Sequence, residues 1–238
     1  MAKAVVIAGW DDAPWLPEEK KKDMLAATPP HLRDAVAKGI PCYGIGQVYP
    51  LQWDDITCEP FEIPRHYRRW FALDVGWNFT AAVWGAVDPN TKDVFVYKEY
   101  KESKKEPVIH ASAILGGDPW IPGCIDPGAG SGSQADGKQI MQTYRGHGLK
   151  LVPANNNVES GIEVVWEALS TGKCKIFKTL HQLHMEFIAY ARDEKGRIIK
   201  KNDHCIDALR YLLNTPHIAQ SAIKAMQHGH STSRTFSF

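Results

Sequence analysis

The sequence predicts an α/β fold, a mixed central β-sheet flanked by helices, and three observations carry that expectation. Three apolar strands follow one another from Trp70 with short connections. Strand and helix then alternate as far as Phe177. The segment Asp203–Leu213 then places Ile206, Ala208, Leu209, Leu212 and Leu213 at the spacing of a largely buried helix. Strands joined by tight turns pair antiparallel, whereas strands separated by helices pair parallel, so the order βββαβαβα implies a meander continued by parallel strands.

Taken in order, residues 10 to 60 are rich in proline and tryptophan and hold two helical candidates, Glu18–Ala27 and Pro30–Lys38. The second begins on proline and is followed by Gly39, which suits a helix start and stop. The meander reads FALDVGW, TAAVWGAVD and DVFVYKEY, with a turn signal at Asp88-Pro89-Asn90. A helix over Glu106–Leu115, a strand over Ile121–Ile125, a helix over Gly137–His147 and the strand LKLVP follow. Next come a helix over Val158–Ser170 stopped by Gly172, a strand over Cys174–Phe177 and a helix from Thr179 to about Ile188. Between the last two helices AYARDEKGRIIKK has the pattern of an auxiliary basic β-hairpin with Asp193–Gly196 as its loop. From Ala219 onward the chain lacks an apolar face and is expected to be poorly ordered. The division expected is a lead-in over 1–60, one domain over 61–216 and a flexible tail over 217–238.

Length and composition, 238 residues with 44% hydrophobic, suit a chain that buries a full core. The run AVVIA near the start is far too short to cross a bilayer, so a soluble, intracellular protein with no membrane partner is expected. Five cysteines, at 42, 58, 124, 174 and 205, fit neither a disulfide framework nor a paired-cysteine zinc site. A net charge of +1 gives no global attraction for a polyanion, so any nucleic-acid site must be local. One such patch exists: Lys173, Lys175, Lys178, Arg192, Lys195, Arg197, Lys200 and Lys201 stand against only Glu186, Asp193 and Glu194. The plainer reading of that run is a solvated face.

Three carboxylates interrupt apolar elements. Asp74 ends the strand in FALDVGWNFT, with Gly76 beside it to permit close approach of another group. Asp126 follows the strand in IPGCIDPGAGSGS, ahead of a loop of small residues. Ligands bind beyond the carboxyl ends of strands in open sheets, and two such residues on neighbouring strands would converge there. Each could equally be a turn aspartate bonded to nearby backbone. Asp207 is the more telling, because an aspartate beside a packed helical stripe is costly unless paired. Asp203 lies one turn earlier on the same face, where it could share a cation or serve as the helix N-cap, and Arg210 offers Asp207 a salt bridge instead. Carboxylates from two strand ends and one helix suit hard cations, Mg²⁺ or Mn²⁺, and two such ions can drive in-line phosphodiester hydrolysis.

The ordered set GWDDAPWL, GIPCYGIGQVYP, FEIPRHYRRWFALDVGWNFTAAVWG, IPGCIDPGAGS, VESGIEVVWEALSTGKCKIF and RDEKGRIIKKNDHCIDALRYL resembles the nuclease domain of the large terminase subunit of tailed bacteriophages over almost the whole chain. The resemblance implies an RNase H-like fold and a two-metal endonuclease cutting concatemeric double-stranded viral DNA during packaging. It implies an upstream ATPase domain, a small terminase subunit and a portal as partners, and the host-cell cytoplasm, not the mature virion, as the location. It carries the three acidic ligands onto Asp74, Asp126 and Asp207, with Asp203 as an accessory ligand. The hairpin at 189 to 201 resembles the family's auxiliary hairpin, which makes Arg192, Lys195, Arg197, Lys200 and Lys201, with Lys178, the DNA-contact candidates. No GxxxxGK[ST] phosphate loop occurs, so nuclease activity without ATP-driven translocation is expected and residues 1 to about 60 read as the end of a motor region and linker.

Rival readings stand beside this one. Asp74-Val75-Gly76 with Thr80, and DPGAGSG as a second loop, would also suit an actin-like or sugar-kinase-like ATPase. A non-catalytic DNA-binding module would leave the carboxylates structural, and His181-x-x-His184 or His228-Gly-His230 would be the ligands of a zinc alternative.

Overall fold

The computed structural model describes residues 9–27, 33–38, 46–76, 78–116, 118–128, 134–193 and 195–222. Contacts divide the chain into two compact units, Met1–Pro50 with Tyr190–Ile199, and Leu51–Ala189 with Lys200–Phe238.

In the smaller unit, α1 spans Glu18–Ala27 as the sequence suggested, and α2 spans Arg33–Lys38. Gln47 bridges Ala191, the Val48 N–H donates to the Tyr190 carbonyl at 3.0 Å, and the Tyr49 and Tyr190 rings stack at 5.8 Å. Over the expected hairpin, the described residues show an antiparallel bridge from Arg192 to Ile198, with the Ile199 N–H on the Ala191 carbonyl at 2.9 Å, the Asp193 N–H on the Arg197 carbonyl at 2.8 Å and the Gly196 N–H on the Asp193 carbonyl at 2.9 Å. Asp193 explains the tight closure: its Oδ1 accepts the Lys195 and Arg197 amides and its Oδ2 the Arg197 guanidinium, so a side chain takes bonds that a longer ladder would supply.

The larger unit opens with a short helix α3 (Trp53–Ile56) and strand β1 (Thr57–Cys58), then β2 (Arg68–Val75), β3 (Phe79–Val87) and β4 (Val94–Ser103). It continues through α4 (Pro107–Leu115), β5 (Gly123–Ile125), α5 (Gln134–Gly146), β6 (Leu151–Pro153), α6 (Val158–Ser170), β7 (Cys174–Phe177), α7 (His181–Ala189), α8 (His204–Asn214) and β8 (Gln220–Ser221). The sheet runs β1-β7-β4-β3-β2-β5-β6, with β8 also on β2. β2, β3 and β4 form the antiparallel meander, and β5, β6 and β7 join in parallel.

Two short strands depart from the sequence reading. Thr57–Cys58, placed in the lead-in, pairs in parallel with β7 and so belongs to the sheet. Gln220–Ser221, placed in the tail, pairs with Arg68 and Arg69 of β2, where β5 begins only at Phe71. A strand of two residues leaves no period to read, and what fixes β8 is the unpaired edge it finds.

Side chains alternate across β2 and decide what each face does. Phe71 and Leu73 enter a core with Trp84, Ala111, Ile114, Tyr144 and Leu151 beneath α4 and α5, with Val75 packed against it. Trp70 turns to the other face, where its indole N–H donates to the Leu212 carbonyl of α8 at 2.8 Å. Asp74 shares that face with Trp70. The cysteines at 58, 124, 174 and 205 are free thiols, and no helix among the described residues is long and apolar enough to cross a membrane.

Gly123 sets how closely β5 lies against β2, since a Cβ there would fall 2.3 Å from the Phe71 ring. Gly123→Ala is therefore expected to destabilise the chain by about 1–3 kcal/mol through overpacking. An unchanged urea midpoint would show instead that the ring moves aside without cost.

Candidate active site

The parallel register of β2 and β5 places Leu73 against Ile125, so the next residue on each strand is an aspartate. The Asp126 N–H still reaches the Leu73 carbonyl at 3.4 Å, and the two carboxylates leave neighbouring strand ends side by side. Asp126 Oδ1 accepts the Gly128 N–H at 2.9 Å and the Asn156 amide at 3.2 Å. Asp74 Oδ2 accepts from, or donates to, His204 Nδ1 at 2.8 Å. Gly76 leaves room beside that contact: a Cβ there would lie 3.2 Å from both His204 Cε1 and the Phe79 carbonyl oxygen.

Burial pushes the Asp74 carboxyl up to about 6; the His204 bond opposes the shift, and the charges of Asp207 and Asp126 add to it. His204 is raised in turn, chiefly by its bond to Asp74. The buried Tyr211 hydroxyl is pushed up by burial first and then by the charges of Asp74, Asp207 and Asp126.

Asp207 comes from α8, whose residues Cys205–Leu213 are all buried, and is itself 7% exposed. Its Oδ1 accepts the Arg210 guanidinium at 3.0 and 3.3 Å, and its Oδ2 the Lys200 ammonium at 2.8 Å. The Arg210 partner weighed from the sequence is therefore present, with a lysine added. Asp203 sits at the N-cap position of α8 but makes no capping bond; its Oδ2 lies 3.2 Å from the same lysine. Lys200 thus bridges two carboxylates.

Of the other basic candidates, Lys201 is exposed on the larger unit, and Lys178 pairs with Glu59 at 2.7 Å. On β4, β7 pairs with Val94–Val96 at the start of that strand, so Lys178 falls well short of the sheet end where Asp74 emerges. Arg192, Lys195 and Arg197 belong to the smaller unit, where Arg197 pairs with Asp193 and Arg192 donates to the Gly196 carbonyl. His184, of the zinc alternative, stacks on Trp53 at 4.2 Å, and His228 and His230 lie outside the described residues.

Among the described residues, no three His, Cys, Asp or Glu side chains converge as a ready metal cage. The donor chemistry nevertheless suits a hard divalent cation: Asp74, Asp126, Asp203 and Asp207 offer carboxylate oxygens, and a cationic or donor group of this chain holds each of them. Lys200 Nζ lies 2.8 Å from Asp207 Oδ2 and 3.2 Å from Asp203 Oδ2. His204 and Asn156 were not legible as site residues. The first merges with the polar start of a helix and the second with a run of three asparagines.

The described family model "Terminase RNaseH-like domain" matches residues 72–215. The chain belongs to that family. It is 33% identical over 211 residues to the large terminase subunit of Salmonella phage P22, covering 84% of this chain and 42% of that protein, and so spans less than half of that relative's length. The solved P22 large terminase nuclease domain superposes with a TM-score of 0.69 at 28% identity, covering 77% of this chain and 98% of that one. The large terminase nuclease of thermophilic phage G20c with bound magnesium gives 0.53 at 10% identity, over 72% of this chain and 98% of that one, a likeness of fold. The terminase domain described here thus has the mixed sheet and flanking helices of the RNase H-like fold, as the sequence suggested.

Proposed function

We propose that this chain is a metal-dependent endonuclease that cuts double-stranded DNA, with Asp74, Asp126 and Asp207 holding two Mg²⁺ or Mn²⁺ ions and Asp203 assisting. The observation that supports it most is the β2–β5 register, which brings Asp74 and Asp126 off adjacent strand ends side by side, with a third carboxylate, Asp207, on the buried helix α8 that packs against β2. Bound divalent cations would supply the charge that activates a water and stabilises the leaving oxygen of a phosphodiester. The G20c nuclease, of the same fold, was solved with magnesium.

The chain's own residues prepare the carboxylates unequally. Gly128 and Asn156 fix Asp126 Oδ1. Arg210, with its side chain 3% exposed, holds Asp207 Oδ1 in place, whereas the Lys200 side chain is 56% exposed and its bond to Oδ2 is cheap to exchange. Asp74 must be ionised to hold a cation, and its Oδ2 is the oxygen that His204 engages. Asp74 comes from β2, which pairs with β5 and packs against α8, and this motivates assigning it as the ligand that both ions would share; a Mn²⁺-bound structure in which Asp74 touches neither ion refutes that assignment. Lys201 is the DNA-contact candidate of this reading on the larger unit, and Arg192, Lys195 and Arg197 are separate candidates on the smaller one, all directed at phosphates. The same reading makes the substrate concatemeric viral DNA in the host cytoplasm, and an ATPase domain, small terminase subunit and portal the working partners.

Incubated with plasmid DNA and Mn²⁺ but no ATP, the chain is expected to nick and linearise it, and chelation to stop the reaction. Cleavage should fall steeply with added salt and show little sequence preference, as phosphate-directed binding does. ATP hydrolysis without cleavage would overturn the proposal in favour of the kinase-like ATPase reading.

A further inference from the structure

We infer that Glu186 is a positioning residue for the active site, acting as the N-cap of α8 from outside that helix; this rests on the metal-site reading above. The helix that carries His204 and Asp207 begins without a cap of its own, since the Asp203 side chain makes no capping bond. Its first amides are instead taken by Glu186 of α7, whose Oε2 accepts the Cys205 N–H at 2.6 Å and the Ile206 N–H at 3.1 Å. These are the amides that an N-cap side chain ordinarily satisfies, and a carboxylate at that end is further favoured by the helix dipole.

Glu186 is 3% exposed, and a buried carboxylate needs a partner. Lys101 of β4 supplies one, with its ammonium 2.6 Å from Oε1. That ammonium also lies 4.9 Å from the centre of the Phe79 ring, which in turn sits 5.6 Å from the His204 ring. α7 is held the same way one step back: Glu99 of β4 accepts the Gln182 N–H at 2.9 Å and the Leu183 N–H at 2.8 Å. The sheet therefore fixes α7 through Glu99, and α7 fixes α8 through Glu186. Each junction is a carboxylate on a helix N-terminus.

The borrowed cap has a consequence for the site. Because Glu186 satisfies the first amides of α8, the Asp203 carboxylate is released from capping and stays beside Lys200 and Asp207. A shift of α8 along its axis would move His204, Asp203 and Asp207 together relative to Asp74, which the sheet holds still. Glu186 thus sets the separation between the helix-borne and strand-borne carboxylates.

The test is calorimetric titration of the full chain with Mn²⁺, alongside its thermal midpoint and plasmid cleavage against Mn²⁺ concentration. Glu186→Gln is expected to weaken Mn²⁺ binding by about tenfold, the lower end of the loss seen when a residue behind a metal ligand is changed. Excess Mn²⁺ should recover much of its cleavage, which it should not do for Asp207→Asn. If Glu186→Gln does not fold, Glu186→Asp keeps the charge on a shorter stem, and the same weakening is expected from it. Wild-type Mn²⁺ affinity in the folded variant, even with a lowered midpoint, overturns the inference and leaves Glu186 merely structural. Cleavage and Mn²⁺ binding that survive in Asp207→Asn would instead overturn the metal-site reading beneath it.

Discussion

Asp207→Asn is expected to lower Mn²⁺-dependent plasmid cleavage by more than about 100-fold, beyond the ~10–100-fold typical of losing a residue one step behind a ligand. The amide keeps the shape of the carboxylate and an acceptor for Arg210, so the packing of α8 survives. What it removes is negative charge on an oxygen donor, which a hard cation needs. The change also leaves the buried Arg210 guanidinium facing a neutral carbonyl in place of a carboxylate 3.0 Å away. That weakens a charge-assisted bond, a loss of about 1–3 kcal/mol, so the thermal midpoint should drop without loss of the fold. Cleavage within tenfold of wild type, in a protein shown to be folded, would remove Asp207 from the site.

The second large effect is a dependence of metal-linked stability on pH. Asp74 holds its proton up to about 6 in the folded chain, against 3.8 as its ordinary value. A carboxyl raised in this way stabilises the metal-free fold below about pH 4 and loses that contribution as pH rises through 6. His204 is also raised, and its contribution is likewise present at low pH and lost as pH climbs through its folded value, so the two signs agree. At about 1.4 kcal/mol per unit, the Asp74 share amounts to at most about 3 kcal/mol. Mn²⁺ needs the ionised carboxylate, so its binding releases the proton and gains strength across the same window. The rise in thermal midpoint caused by Mn²⁺ should therefore be small near pH 5 and largest above pH 7. Asp74→Asn should flatten the metal-free profile. An equal Mn²⁺ effect at both ends would mean that Asp74 does not bind the ion.

What the sequence made legible follows from how local each signal is. The strands of the meander, the helix Val158–Ser170 and strand Cys174–Phe177 carry their own periodicity and punctuation, and they appear where expected. Asp74 and Asp126 could be noticed because a carboxylate at the end of an apolar strand is conspicuous, and Asp207 because it breaks a buried face. Their convergence was not local: it depends on β5 lying beside β2 in a register that places Leu73 against Ile125. Glu186 could not be singled out at all. Its partners are the amides of Cys205 and Ile206, 19 and 20 residues away, and Lys101, 85 residues away, with no spacing rule to connect them. Over the hairpin the local pattern was strong, and the described residues there carry an antiparallel bridge from Arg192 to Ile198, with Asp193 accepting the Lys195 and Arg197 amides.

The pairing of Leu73 with Ile125 has one further consequence, for how such a domain can change over evolutionary time. Adjacent strands stand about 4.8 Å apart because peptide groups bond at that spacing, whatever side chains they carry. Two carboxylates placed on neighbouring strand ends therefore inherit their separation from the backbone, and nearly every other residue can be exchanged without altering it. Only the few positions that admit a close neighbour, such as Gly123 against Phe71, are tied down by shape. A domain built this way can drift to 10% identity and still keep its architecture.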